Sequence, residues 1–271
     1  VTTLQAIVLG LVQGLTEFLP ISSSGHLRIV AAFCGWDDPG AAFTAVIQLG
    51  TMAAVLIYFR RDLWNIARAW VTEIRRPYAQ RSHEANLGWF IILGTIPVGI
   101  LGLIFSNQIE DGARSLYLIG TALILFSFVM LYADRVSKNR REIDELNARD
   151  GLFIGLAQAL ALIPGVSRSG ATISAGLLRD FDRAAAARYS FLLSVPAVVL
   201  SGLFELRHVG ESGGAPLGAT IIATIIAFIS GYAAIAWLLK YLASHNLTVF
   251  VAYRIPLGVL VLLLTATGTI S

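Results

Sequence analysis

Residues 217–239, LGATIIATIIAFISGYAAIAWLL, run the thickness of a membrane without one charged side chain. Segments 40–59, 86–105, 115–133, 186–206 and 249–270 come close to the same pattern. An apolar run of about 20 residues spans the hydrocarbon layer as a helix, because lipid offers its backbone no outside partner. Composition agrees with that reading. Apolar residues make up 56% of the chain and charged residues 14%, where soluble domains carry roughly 25% charge. The mean hydropathy is +0.73. Period-two alternation, the mark of a membrane barrel, is absent. The chain therefore reads as an all-α polytopic membrane protein.

Four apolar pieces are too short to cross. Residues 4–19 and 25–36 flank the polar stretch EFLPISSSGHLR at 17–28, and 151–163 and 171–178 flank PGVSRSGAT at 164–172. Short arms joined by Pro, Gly and Ser predict two re-entrant helical hairpins, 4–36 and 151–178, that dip in and return to the same face. Backbone turned back at that depth must be buried in protein or line a wet cavity, so both polar turns are expected to point inward.

Basic residues set the orientation. Arg60, Arg61, Arg68, Arg75, Arg76 and Arg81 lie in one connection, and Arg135, Lys138, Arg140, Arg141 and Arg149 in another. Arg179, Arg183, Arg188 and Lys240 fall on the same side, which the positive-inside rule makes cytoplasmic. Arg28, Arg114 and Arg207 fall opposite, which puts both termini outside. The same bias accounts for the net charge of +3 and the isoelectric point near 9.2, so no nucleic-acid partner is implied. Helix 60–76, with Trp64 and Trp70 among its Arg, is expected on the cytoplasmic surface. Residues 134–150 read as a solvated loop, and Cys34, the single cysteine, as a small core residue. The first basic residue is Arg28, so the amino terminus lacks the basic region of a signal peptide.

The halves resemble each other. GLVQGLTEFLPISSSG and GLAQALALIPGVSRSG share G-L-x-Q-x-L, then Pro, then S-x-S-G, which pairs Gln13 with Gln158, Ser22 with Ser167, Ser24 with Ser169 and Gly25 with Gly170. A second likeness, between IPVGILGL and VPAVVLSGL, would align a different pair of spans; the first frame keeps the elements collinear. Each repeat, 1–133 and 151–271, is then one hairpin and three spans. Three crossings invert the second copy, and an inverted repeat brings its hairpin tips together near the midplane.

The tips hold a carboxylate, an amide, hydroxyls, an imidazole and a guanidinium. Gln13 and Glu17 are four apart on a helical arm and share a face. Ser22, Ser23, Ser24 and Gly25 open a second arm whose free N–H groups and dipole suit a phosphate. His26 follows within a turn. Arg168 offers a fork for phosphate oxygens, with Ser167, Ser169, Gly170 and Thr172 around it. The set suits phosphoryl transfer: a divalent cation on Glu17 and Gln13, a serine attacking phosphorus while His26 manages its proton, and Arg168 on the equatorial oxygens. A plain Glu17–Arg168 ion pair is the structural alternative, and Arg254 in the last span is expected to snorkel or bind a carbonyl.

At these residues the sequence resembles the undecaprenyl-pyrophosphate phosphatase family, the bacitracin-resistance type of bacterial cell-wall synthesis. QGLTEFLPISSSGH is similar to its E/Q-x-x-x-E element with a Ser-Ser-x-Gly-His extension, and PGVSRSGAT to its P-G-x-S-R-S-x-x-T element. VIQLG at 46–50 and AYR at 252–254 extend the likeness along the chain. The resemblance implies removal of the terminal phosphate from a C55 isoprenyl diphosphate with a divalent cation, Mg²⁺ or Ca²⁺. It implies an inverted-repeat fold in the bacterial plasma membrane, with the site open to the periplasm or exterior. It also implies Ser23 as nucleophile, with Ser22 and His26 as competitors, and His26, Glu17 and Arg168 as essential partners. A homodimer is compatible with it. The competing class is transport: a flippase for a lipid phosphate, or a small-anion carrier, would also place a polar site between inverted repeats.

Overall fold

The computed structural model describes residues 1–37, 40–105, 115–205 and 217–270, and their regular structure is helical except for an isolated bridge between Arg141 and Phe181. Helices α1 (Thr3–Phe18) and α2 (Ser23–Phe33) form a first short pair. They are followed by α3 (Gly40–Tyr58), α4 (Arg60–Glu73), α5 (His83–Ile104) and α6 (Leu116–Val136). A second short pair, α7 (Ala148–Ala159) and α8 (Arg168–Leu178), leads to α9 (Arg183–Glu205), α10 (Leu217–Leu242) and α11 (Thr248–Ala266). Arg114, Arg207 and residue 206 at the end of one expected span lie outside the described residues.

Helices α5, α6, α9, α10 and α11 are each long and apolar enough to cross a membrane, which makes the chain a multi-pass membrane protein. The chain bends by 73° between α3 and α4, and the pair counts as a sixth crossing if it is one broken span, the alternative being a re-entrant loop. Apolar stripes face outward where a soluble protein would turn polar: Leu4, Ile7, Leu11 and Leu15 on α1, and Leu217, Ile221, Ile225 and Ile229 on α10. Their spacing of three and four keeps each set on one helical face, the face lipid would cover. On α4, Trp64 and Val71 are exposed among Arg60, Arg61 and Arg68, an amphipathic composition.

Inside, small residues let backbones meet. A Cβ on Gly14 of α1 would stand 1.9 Å from Ser230 Oγ of α10. One on Gly155 of α7 would stand 2.3 Å from the backbone of Gly94 in α5. Neither contact tolerates a side chain, and such approach is how membrane helices gain packing contacts without a hydrophobic driving force. Pro97, Pro196 and Pro256 sit inside α5, α9 and α11, where neighbouring helices can satisfy the carbonyls that proline frees.

One expectation is corrected and one refined. Cys34 caps the C-terminal end of α2 and is exposed, because α2 ends at Phe33 and the turn after it faces outward. The stretch 134–150 is exposed over much of its length, as expected, but it is anchored at Asp134, Arg141 and Asp150 by partners that a charge count along the chain does not reveal. Asp134 takes Arg183 Nε at 2.6 Å and the Leu247 N–H at 3.2 Å. Asp150, fully buried, takes Arg141 Nη2 at 2.6 Å and Arg179 Nε at 2.7 Å. Arg141 also lies over the Phe181 ring at 4.2 Å. Asn147 caps α7 by accepting the Asp150 N–H, and Asp150 returns the favour to the Asn147 N–H.

Burial pushes the Asp150 carboxyl up, but the hydrogen bonds of Arg141 and Arg179 outweigh it and hold the group below the usual carboxylate range. A depressed folded value means the contribution to stability is complete above the unfolded value, near 4, and is lost as pH falls through the folded value. Asp150→Asn is expected to cost about 2–3 kcal/mol at pH 7, below the full buried-pair value because both guanidinia reach water. Thermal melts in detergent check this: the gap between wild type and variant should narrow below about pH 4.

Candidate active site

The first turn of α2 begins two residues earlier than the arm expected at Gly25, so Ser23 and Ser24 belong to the helix and Ser22 is its N-cap. Ser22 has φ 76° and Ser167, the N-cap of α8, has φ 77°. Left-handed backbone at a residue with a Cβ is costly, about 1–3 kcal/mol, and persists only where surroundings impose it. Here the surroundings are the opposite turn. Ser22 Oγ accepts the Gly165 N–H at 3.2 Å, and Ser169 Oγ donates to the Leu19 carbonyl at 3.0 Å. Gly165 itself has φ 95°, and a Cβ there would meet the Ile119 carbonyl at 2.7 Å.

Arg254 fastens both turns at once. It is fully buried, and its guanidinium donates to the Pro20 carbonyl at 3.0 Å, to those of Gly165 and Val166 at 2.9 and 3.2 Å, and to Ser127 Oγ at 3.0 Å. Of the two expectations for this residue, carbonyl binding is the one observed. Sequence reading flagged Arg254 as an intramembrane charge but could not name carbonyls on two distant turns.

Glu17 is the hub of the site. One carboxylate oxygen, Oε1, accepts Arg168 Nη2 at 2.9 Å. The other, Oε2, accepts Ser23 Oγ at 2.6 Å and Gln13 Nε2 at 2.9 Å. The carboxylate and guanidinium remain 8% and 16% exposed, enough for a ligand to reach them. Ser23 is half-buried and Ser24 exposed, so both hydroxyls can face a phosphate. Ser22 makes no side-chain cap to α2, which leaves first-turn N–H groups of that helix as anion donors.

The remaining predicted residues stand behind this row. Ser22, Ser167, Ser169, Gly170 and Thr172 are buried. Ser167 Oγ accepts the Gly170 N–H at 3.2 Å, and Thr172 Oγ1 donates to the Arg168 carbonyl at 2.9 Å beside Ser190 Oγ at 2.5 Å. These hydroxyls shape the α8 turn that aims Arg168. His26 is buried too, with Nδ1 at 2.8 Å from the Ser22 carbonyl and Nε2 at 2.8 Å from Tyr253 Oη. The partner of the Ser23 hydroxyl is therefore Glu17, and both imidazole nitrogens are engaged elsewhere. Tyr253 and Ser190 were missed by sequence reading; the only signal for Tyr253 was its place in the AYR triplet.

Among the described residues no three His, Cys, Asp or Glu side chains gather as a metal site. One carboxylate and the amide oxygen of Gln13 do fit a hard cation that completes its shell with phosphate oxygens and water, the usual habit of Mg²⁺.

A protein of Thermobifida fusca named undecaprenyl-diphosphatase is 53% identical over 99% of this chain and 92% of its own length. One of Nocardioides sp. with the same name is 54% identical over 99% and 98%, and one of Mycolicibacterium smegmatis is 53% identical, also over 99% and 98%. The family model described as bacitracin resistance protein BacA matches residues 6–260, both serine-bearing turns included, and the chain belongs to that family.

Proposed function

We propose that the chain hydrolyses undecaprenyl diphosphate to undecaprenyl phosphate and inorganic phosphate, recycling the lipid carrier of cell-wall synthesis. The names of its relatives support the substrate. The observation that carries the chemistry is the Ser23 hydroxyl at 2.6 Å from Glu17, with Arg168 on the other carboxylate oxygen.

Ser23 Oγ attacks the terminal phosphorus as its proton passes to Glu17 Oε2. The bond from that phosphorus to the bridging oxygen breaks, and the lipid leaves as a monophosphate. The proton held by Glu17 then passes back to Ser23 Oγ as water attacks the phosphoserine and the P–Oγ bond breaks; the freed carboxylate takes one proton from the water and releases it to solvent, and inorganic phosphate departs. Arg168 turns from Glu17 toward the incoming oxygens and, with the α2 N–H groups, meets charge that grows on the equatorial positions. Ser22 is the weaker candidate nucleophile, since its hydroxyl is buried and accepts the Gly165 N–H.

Glu17 and Gln13 would hold the divalent cation. When bound it would draw negative charge from the diphosphate oxygens. Because an amide is a poorer ligand than a carboxylate, Gln13→Glu is expected to lower the metal concentration for half-maximal activity about tenfold. Metal titrations of phosphate release, for Mg²⁺ and Ca²⁺ in turn, check this.

The basic connections around α4 and 134–150 support a cytoplasmic placement for that side, with both termini and the site mouth outside. The matched φ values of Ser22 and Ser167 support two inverted repeats, 1–133 and 151–271, with α1–α2 and α7–α8 as re-entrant hairpins. The test is phosphate release from C55 diphosphate by purified protein in detergent, with and without chelator. Metal-dependent release is expected. Well-folded protein that binds the lipid but releases nothing under any metal would overturn the proposal in favour of a lipid-phosphate transporter.

A further inference from the structure

We propose that Tyr253 is a positioning residue that holds the His26 ring against the Ser22 carbonyl and, through it, steadies the strained turn that presents Ser23; its kinetic consequence rests on the phosphatase reading. A carbonyl oxygen only accepts, so the 2.8 Å contact from His26 Nδ1 to the Ser22 carbonyl puts a proton on Nδ1. In the neutral ring, Nε2 then carries the lone pair, and Tyr253 Oη at 2.8 Å donates to it. The two rings lie nearly parallel, 17° apart with centroids at 5.5 Å, so the phenol also limits rotation of the imidazole.

The consequence falls on Ser22. Its carbonyl accepts both the His26 N–H at 3.1 Å and His26 Nδ1–H, and its φ of 76° needs such support. If the proton moved to Nε2, the Nδ1 lone pair would face the Ser22 carbonyl and repel it. The turn would loosen, and Ser23, the next residue, would lose its aim at Glu17. The Ser22 carbonyl, which only accepts, sets the tautomer; Tyr253, bonded to Nε2 and stacked on the ring, holds the imidazole where Nδ1–H meets that carbonyl. Its own position is secured by the neighbouring Arg254, which is tied to the turns at Pro20, Gly165 and Val166.

Two readouts test this on the full-length chain in detergent. In ¹⁵N-histidine spectra at neutral pH, with the His26 signal assigned by its loss in His26→Gln, wild type is expected to show the Nδ1–H tautomer with a hydrogen-bonded Nε2. Tyr253→Phe keeps the ring and removes the hydroxyl, and should lose the hydrogen-bond shift of Nε2 and broaden the His26 signals as the ring loosens. In kinetics, Tyr253→Phe should lower kcat about tenfold, the scale of supporting hydrogen-bond partners, while KM moves less than twofold. Tyr253→Leu, which also removes the stacking, should lower kcat further. A proton on Nε2 in wild type would overturn the proposal, and so would wild-type spectra and kcat in Tyr253→Phe. The spectra read the contact even in a protein that releases no phosphate, so failure here is distinguishable from failure of the hydrolase reading.

Discussion

Ser23→Ala is expected to lower phosphate release from undecaprenyl diphosphate by about a thousandfold or more, Glu17→Gln to lower it comparably, and the double variant to be little worse than either. A nucleophile and the base that takes its proton act as one unit, and such units are strongly non-additive. The 2.6 Å contact between the two side chains places them in that relation. A positioned base is worth about 10²–10⁴ in rate, so removing it or the hydroxyl forfeits the same step. Initial rates for the four proteins, each checked for an unchanged melt, read the result. Independent losses that multiply in the double variant would show that Glu17 is not the partner of Ser23, and would return His26 to consideration as the base.

Arg254→Met is expected to give the largest loss of stability. The substitution keeps much of the volume and removes a guanidinium that satisfies Ser127 and the carbonyls of Pro20, Gly165 and Val166. Each buried acceptor left without a donor costs about 1–3 kcal/mol, less whatever water enters. A net loss of about 3–5 kcal/mol follows, with a drop in Tm of about 10 °C for a chain of this size. Activity should fall with it, because the same group fixes both turns on which Ser23 and Arg168 stand. Arg254→Lys should recover little, since one ammonium cannot reach carbonyls on two turns in the guanidinium's planar geometry. A melt unchanged from wild type would show that the turns hold each other without the clamp.

The fold class was legible because lipid imposes it: long uncharged runs can only be helices, and α5, α6, α9, α10 and α11 lie where such runs predict spans. The candidate site was legible in part for a related reason. A Glu or Arg inside an apolar chain is costly without a partner, so Glu17 and Arg168 stood out, and their 2.9 Å contact joins residues 151 positions apart. Pairings among backbone groups were not legible. Nothing in PISSSG announces a carbonyl that Arg254 will claim, and nothing in SRSGAT shows that the Thr172 hydroxyl goes to the Arg168 carbonyl beside Ser190. The anchor points within the solvated stretch 134–150 were hidden for the same reason, since Asp150 meets Arg179 across 29 residues. Side-chain types fix what chemistry is affordable at a position, while partners depend on a turn geometry that only the packed chain defines.

The central claim is that two distant turns build one phosphoryl-transfer site, and Arg168 tests it most directly because it reaches Glu17 from the second turn. The measurement is kcat/KM for C55 diphosphate in wild type and Arg168→Ala, with folding confirmed by an unchanged melt. Removing a donor aimed at developing charge costs about 10²–10³ in rate, and the account predicts a loss of at least that size. Activity within about threefold of wild type, well under that donor effect, would contradict it: the second turn would then be scaffolding, and the chemistry would belong to the first alone.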